Sequence, residues 1–283
     1  MNILTFDIED WWVYEKYQIG EARDYIPRLE YYLNALLDKL DDKQEKATFF
    51  CLGIMAEKYP EIIKIIANRG HQIGCHSYSH DFLGNSNYQS FDTDTRNALN
   101  ILENIIGEKV IAYRAPAFSI TEKNKWALEV LLKNGILYDC SIFPAQRSFG
   151  GFPSYKSNGP AIIFYNGLYI KEFPIPVVKI AGKEFAYSGG GYFRLFPYRK
   201  LKQIMNITDY VVMYFHIKDF DVDQKKMFQS LNGENAVSRY FKSYYGLSSC
   251  FTKFNRLMDD FSFISVEQAD KLIDWSVVPV IEF

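Results

Sequence analysis

The chain is short of several things that usually announce a function, and each shortage removes a class of answer. It has four cysteines in 283 residues, Cys51, Cys75, Cys140 and Cys250, scattered without a CxxC pair. That excludes a disulfide framework or a cysteine zinc site, and the four read as free, mostly buried thiols of a reducing compartment. No apolar run approaches the roughly 20 residues that span a bilayer. The start, Met1 to Asp7, runs straight into acidic residues and lacks the basic-then-apolar form of a secretory leader. The expectation is a cytoplasmic protein without a transmembrane segment. Neither charge sign dominates: 32 Lys and Arg stand against 34 Asp and Glu, a formal net charge of −2, which offers no basic surface for nucleic acid. The one glycine cluster, Ser188-Gly189-Gly190-Gly191-Tyr192, has neither Walker nor GxGxxG spacing, and reads as a flexible loop rather than a phosphate cradle. Nothing in the composition speaks to oligomeric state.

What is abundant is apolar and aromatic. Hydrophobic residues make up 48% of the chain, with 21 Tyr and 23 Phe, enough for a substantial core and for surfaces that stack on sugar rings. No repeat, low-complexity tract or linker interrupts the sequence, so residues 1–283 read as a single domain. Residues 3–8 form a short apolar run of strand type. A helical stripe follows through Tyr32, Leu33, Leu36, Leu37 and Leu40, then a strand at 47–52, a helix at 54–66 and a strand at 71–75. Ala98, Ile101, Leu102, Ile105 and Ile106 make the next stripe, closed by Gly107; a strand at 110–113 and a helix capped by Thr121 come after it. This alternation predicts an α/β protein with a parallel sheet or barrel. In the second half, residues 161–165 and 168–173 flank Asn166-Gly167, a strong hairpin signal, and 210–215 form another strand. Residues 236–261 read as helical, and 263–266 as a segment that closes the sheet.

Three of the four histidines fall within residues 70–80. His76 and His80 are four apart, so one helical turn would set both imidazoles on one side, with Cβ atoms about 6 Å apart. Two neutral imidazoles and one carboxylate suit a divalent metal that keeps positions open for water and substrate. The first strand ends in the acidic cluster Asp7, Glu9 and Asp10; Arg114 follows the strand at 110–113, Asp139 the segment at 137–138, and His216 the strand at 210–215. Carboxylates at the end of a buried strand require a partner or a cation, and loops at the carboxyl ends of strands are where (β/α) folds build their sites. Asp219, Asp221 and Asp223 alternate with Phe220 and Val222 but lack the glycine and terminal glutamate of a calcium loop, so they read as a solvated loop. His71 reads as a strand position, Cys75 as packing.

The stretches Thr5-Phe6-Asp7, His76-Ser77-Tyr78-Ser79-His80, Arg114-Ala115-Pro116, Asp139 and Tyr214-Phe215-His216 resemble, in that order, the polysaccharide deacetylase family with the NodB homology domain, carbohydrate esterase family 4. Asp7-Ile8-Glu9-Asp10-Trp11 and Gly189-Gly190-Gly191-Tyr192-Phe193-Arg194 are similar to its branch found in exopolysaccharide and O-antigen biosynthesis loci. The resemblance implies a distorted (β/α) barrel of about seven parallel strands, here with an added hairpin in the second half. It implies a divalent metal, most often zinc, and hydrolysis of an N-acetyl group on an amino sugar of a surface polysaccharide or its precursor. By position, His76 and His80 would be metal ligands, Asp7 the general base and His216 the general acid, with Arg114 holding Asp7 and Asp139 orienting its neighbours. The family's common pattern has two adjacent aspartates, but residue 8 here is Ile, so the third ligand is Glu9 or Asp10. Strand alternation sets Asp7 and Glu9 on one face, whereas residue type favours Asp10. Trp11, Trp12, Tyr192 and Phe193 are candidates for the wall of a sugar groove. The alternatives are a hydrolase of cyclic amides on the same fold and a catalytically silent carbohydrate-binding relative.

Overall fold

A computed structural model describes residues 1–9, 26–147, 150–180, 183–223 and 244–283. Its strands are β1 (Asn2–Ile8), β2 (Thr48–Cys51), β3 (Gln72–Cys75), β4 (Ala112–Tyr113), β5 (Tyr138–Asp139), β6 (Ala161–Tyr165), β7 (Leu168–Glu172), β8 (Val177–Ile180), β9 (Lys183–Ala186), β10 (Val211–His216) and β11 (Val280–Glu282). Among the described residues, nine of them form one sheet in the order β10-β1-β2-β3-β4-β5-β7-β6-β11, and β8 pairs with β9 separately. From β10 through β7 every pairing is parallel, which gives the run of seven parallel strands. The expected hairpin is β6–β7, with Tyr165 paired to Leu168 across Asn166-Gly167, where both turn residues have positive φ. Its insertion reverses the sheet beyond β7. The first and last strands, β10 and β11, are not neighbours, so the barrel is distorted and open along that side.

The helices bear out the 3.6-residue stripes, except that the single helix expected at 54–66 is two, interrupted at Tyr59 (φ −135°) before Pro60: α1 (Ile26–Lys43), α2 (Gly53–Lys58), α3 (Pro60–Asn68), α4 (Tyr88–Ile106) and α5 (Trp126–Lys133). Strand alternation divides the core in two. Leu4, Phe6, Phe49, Ile73 and Met213 face outward into one cluster with Leu33, Leu36, Leu37, Ile63 and Leu102 of the helices. Ile3, Phe50, Ala112, Tyr138, Val212 and Tyr214 face inward into a second cluster. The inward positions run to the carboxyl ends of the strands, where Asp7 near the end of β1, His76 just after β3, Arg114 just after β4 and His216 at the last position of β10 bring ionisable groups to one mouth of the barrel.

Two expectations are corrected here. Thr121 does not begin the helix: α5 starts at Trp126, and the Thr121 N–H donates to Asn124 Oδ1 at 2.7 Å in a turn before it. The glycine cluster is not a flexible loop. It leads into α6 (Gly190–Leu195), and Ser188 O accepts from the Tyr214 N–H of β10 at 3.0 Å. A Cβ at Gly189 would lie 2.1 Å from Tyr214 Cζ, and one at Gly190 1.9 Å from Asp219 Oδ2. Glycine is required there by close approach. The C-terminal part adds α7 (Tyr198–Asn206), α8 (Leu247–Asp260) and α9 (Val266–Leu272); the segment at 263–266, expected to close the sheet, makes only an isolated bridge from Ile264 to Ile3.

Candidate metal and catalytic site

Glu9, His76 and His80 converge. Glu9 Oε2 is 3.2 Å from His76 Nε2 and 2.6 Å from His80 Nε2, and all three residues are buried. The histidines do not reach this geometry by a helical turn. Residues 76–80 form a loop in which Ser77 (φ 68°) and His80 (φ 60°) are both left-handed, and the imidazole centroids stand 5.4 Å apart. Asp94 of α4 holds the loop, accepting from the Tyr78 and Ser79 N–H groups at 2.8 and 3.2 Å, while the His80 N–H donates to Ser77 Oγ at 3.0 Å. Strained φ values at two non-glycine residues persist only where surrounding bonds over-determine them.

The donor set fits a divalent cation. His76 Nδ1 lies 2.8 Å from the Arg114 carbonyl; a carbonyl only accepts, so Nδ1 carries a proton, and the neutral ring then presents the Nε2 lone pair. That lone pair faces Glu9 Oε2 at 3.2 Å, where a cation shared between them would satisfy both. Two imidazoles and a carboxylate with an open position is a catalytic zinc donor set, and ligands 2.0–2.1 Å from a shared tetrahedral ion sit about 3.3 Å apart. Burial pushes the Glu9 carboxyl upward, but Lys218, His80 and His216 outweigh it and hold Glu9 well below the usual carboxylate range. Asp10, Trp11 and Trp12 lie outside the described residues.

Asp7 is buried against Arg114, whose NH1 donates to Asp7 Oδ1 at 2.8 Å and to Thr5 Oγ1 at 2.9 Å. The Arg114 guanidinium is itself fully buried, with its carbon 4.2 Å from the Phe50 ring centroid. Asp7 Oδ2 turns toward His216 Nε2 at 3.9 Å, and Glu9 Oε1 is 3.2 Å from the same nitrogen. Burial and Lys218 work against protonation of His216, but Glu9 and Asp219 overcome them and raise it to about 10.

Asp139 stands one layer away. It is fully buried beside Glu172, and the Ser141 hydroxyl, which donates to Asp139, accepts from the Ala115 N–H at 2.8 Å. Burial raises Asp139 to about 6 and Glu172 well above its ordinary value, the two carboxyls being coupled. Asp139 therefore bears on the Arg114-Ala115-Pro116 turn and not on His216.

The partner of His216 is Asp219, in the 3₁₀ turn Ile217–Phe220. Asp219 Oδ2 accepts from the His216 backbone N–H at 2.9 Å and lies 3.4 Å from Nδ1, while Arg194 Nε lies 3.3 Å from Oδ1. Asp219 and Asp221 are buried, and Arg28 pairs with Asp221. The solvated-loop reading is thus overturned for Asp219 and Asp221, each of which has an arginine brought from a distant element, while Val222 and Asp223 are exposed. Lys218, donating to Glu9 Oε1 at 2.9 Å, was also not singled out by the sequence. The signal available for Asp219 was its HxxD spacing from His216. Phe193, a groove candidate, is fully buried and packs edge-on against Phe215 at 5.0 Å. His71 is core, its Nδ1 accepting from the Ala47 N–H at 3.3 Å, and all four cysteines are buried and free.

Residues 3–136 match a family model described as polysaccharide deacetylase, and residues 140–271 match a domain of unknown function (DUF3473). A peptidoglycan-N-acetylglucosamine deacetylase of Bacillus cereus is 40% identical over 117 residues, 41% of this chain and 42% of its own. Chitin deacetylase 1 of Saccharomyces cerevisiae is 51% identical over 49 residues, 17% of this chain and 15% of its own. The chain thus spans less than half the length of these curated relatives. Among solved structures, one from Mycobacterium smegmatis assigned to the polysaccharide deacetylases superposes with TM-score 0.65 at 20% identity, covering 98% of this chain and 91% of that one. A CE4 family pseudoenzyme from Bacillus anthracis superposes with TM-score 0.51 at 13% identity, covering 100% and 69%. These two likenesses are of fold.

Proposed function

We propose that this chain, whose residues 3–136 match the polysaccharide deacetylase family model, is a metal-dependent hydrolase removing an N-acetyl group from an amino sugar of a polysaccharide or its precursor. The observation that carries this reading is the convergence of Glu9, His76 and His80 on one point, with Asp7 and His216 beside it. Since a fold shared with a pseudoenzyme does not by itself bring activity, the proposal rests on these residues. We further read residues 1–283 as one domain, because strands from both matched spans share a single sheet.

Glu9, His76 and His80 would hold the ion, zinc being the best match to this donor set. Bound there, the metal would supply Lewis acidity and lower the pKa of a coordinated water. Asp7 is the base that receives the proton of the attacking water; Arg114 occupies Oδ1 and leaves Oδ2 for that purpose. The Ala115 N–H is already engaged by Ser141, so it is not the free backbone donor an oxyanion would need. His216 is the acid. An amide nitrogen leaves poorly as an anion, and a partly exposed imidazolium kept protonated by Glu9 and Asp219 is suited to protonate it. Asp219, backed by Arg194, orients His216 through Nδ1 and the backbone, leaving Nε2 directed at the site.

The test is acetate release from N-acetylated amino sugars and oligosaccharides by the zinc-loaded protein. Acetate with zinc and its loss after chelation support the reading. Opening of a cyclic amide with no acetate from any acetylated sugar would replace it with the alternative hydrolase.

A further inference from the structure

Three cations at the mouth of the barrel already have carboxylates. Arg114 is bonded to Asp7, Lys218 to Glu9 and Arg194 is paired with Asp219. Arg147 has none among the described residues. Its guanidinium carbon lies 4.4 Å from the Phe143 ring centroid and 5.2 Å from that of Phe118, and NH1 donates a long 3.4 Å bond to the Tyr214 hydroxyl. Phe118 and Tyr214 are also the rings against which Arg114 lies, at 5.6 and 5.9 Å. Two guanidiniums therefore flank one aromatic pair: the inner one is neutralised by the proposed base, and the outer, partly exposed one is not.

The platform under Arg147 is built to stay in place. Ala117 and Phe118 both have left-handed φ (53° and 55°). Phe118 O accepts from the Gly151 N–H at 3.0 Å, and Phe143 O accepts from the Phe152 N–H at 2.7 Å. At Gly150 a Cβ would fall 2.2 Å from Phe118 O, so only glycine lets the chain after Arg147 pass this close. A guanidinium stacked on two rings loses little rotational freedom when it binds, and its free N–H groups form a fork that matches a carboxylate or phosphate.

We propose that Arg147 recognises an anionic group, a carboxylate or a phosphate, carried by the substrate next to the acetamido sugar, and so sets the substrate class of this site. The proposal rests on the deacetylase reading for its turnover arm, and on direct binding for its independent one. The first measurement is kcat/KM for acetate release from three substrates: a neutral N-acetylglucosamine oligosaccharide, an oligosaccharide alternating N-acetylglucosamine with glucuronate, and N-acetylglucosamine 1-phosphate. One charged substrate is expected to exceed the neutral one by roughly ten- to hundred-fold, the range of a charge-assisted bidentate bond; which of them does so separates carboxylate from phosphate. Arg147→Gln should collapse that ratio through KM, and Arg147→Lys should keep part of it, since charge survives while the fork is lost. Calorimetric binding of the same three compounds to the zinc-loaded protein reads the same preference without turnover. Binding preference without acetate would leave Arg147 supported and overturn the deacetylase reading. Equal kcat/KM and equal binding for charged and neutral compounds, or an unchanged ratio in a folded Arg147→Gln or Arg147→Lys, overturns the role of Arg147.

Discussion

At the scale of single residues, the site turns on which atoms are already occupied. His76 commits Nδ1 to the Arg114 carbonyl and Arg114 commits NH1 to Asp7 Oδ1, while Nε2 of His76 and Nε2 of His80 converge on Glu9 Oε2. With these three as ligands, His80→Ala is expected to reduce zinc affinity by more than the roughly 10–100-fold that losing an outer-shell partner costs, and metal content after dialysis checks it. Glu9→Gln should do the same while Asp10→Asn retains the ion; the opposite result makes Asp10 the ligand. Asp7→Asn should keep the metal and lose turnover by about 10²–10⁴-fold, the usual contribution of a general base. Near-normal acetate release from that variant would remove Asp7 from the role.

At the scale of elements, β10 and the turn after it meet α6 at a contact only glycine permits. Gly190 lets Asp219 approach, and Asp219 ties His216 to Arg194. Gly190→Ala forces backbone or carboxylate to move and should destabilise the fold by about 1–3 kcal/mol, the ordinary cost of overpacking, read as a drop in denaturant midpoint at unchanged slope. Asp219→Asn tests the electrostatics instead. Removing an anion beside an imidazolium disfavours the protonated form, so His216 should titrate lower and the alkaline limb of the kcat/KM profile should move to lower pH. If that limb stays put, Asp219 does not set the protonation of His216. The HSYSH segment carries the same lesson. Four-residue spacing reads as a helical turn, yet Asp94 and Ser77 bond the loop into a left-handed path that brings the rings together by another route.

At the scale of the whole molecule, both halves contribute strands to one sheet, and a buried histidine far from the catalytic groups couples stability to pH. His71 is depressed from 6.5 to about 4, first by burial and then by Lys46, and its Nδ1 must stay unprotonated to accept from the Ala47 N–H. Between pH 6.5 and 4 the unfolded chain therefore binds a proton that the folded chain refuses. Stability from this group is complete above 6.5, falls as pH drops through that window, and is lost by about 4. The loss amounts to about 3 kcal/mol at most. His71→Gln should flatten the stability–pH curve over that interval relative to the parent, as measured by urea unfolding at a series of pH values; parallel curves would show that His71 does not contribute.

The sequence by itself was enough for the order of strands and helices through residue 140, apart from the break between α2 and α3, for the β6–β7 hairpin, and for the placing of Asp7, His76, Arg114 and His216 at strand ends. Those features depend on local periodicity and turn chemistry, which are written residue by residue. Strand alternation even pointed to Glu9 beside Asp7, although side-chain type pointed to Asp10. What only the tertiary structure decided are the pairings between residues far apart in the chain: Lys218 with Glu9, Arg194 with Asp219, Arg28 with Asp221, and Asp139 with Glu172. A buried charge needs a partner within a few ångströms, but no pattern in the chain says which distant element will bring it; that is settled when the sheet and its covering helices close around the same mouth.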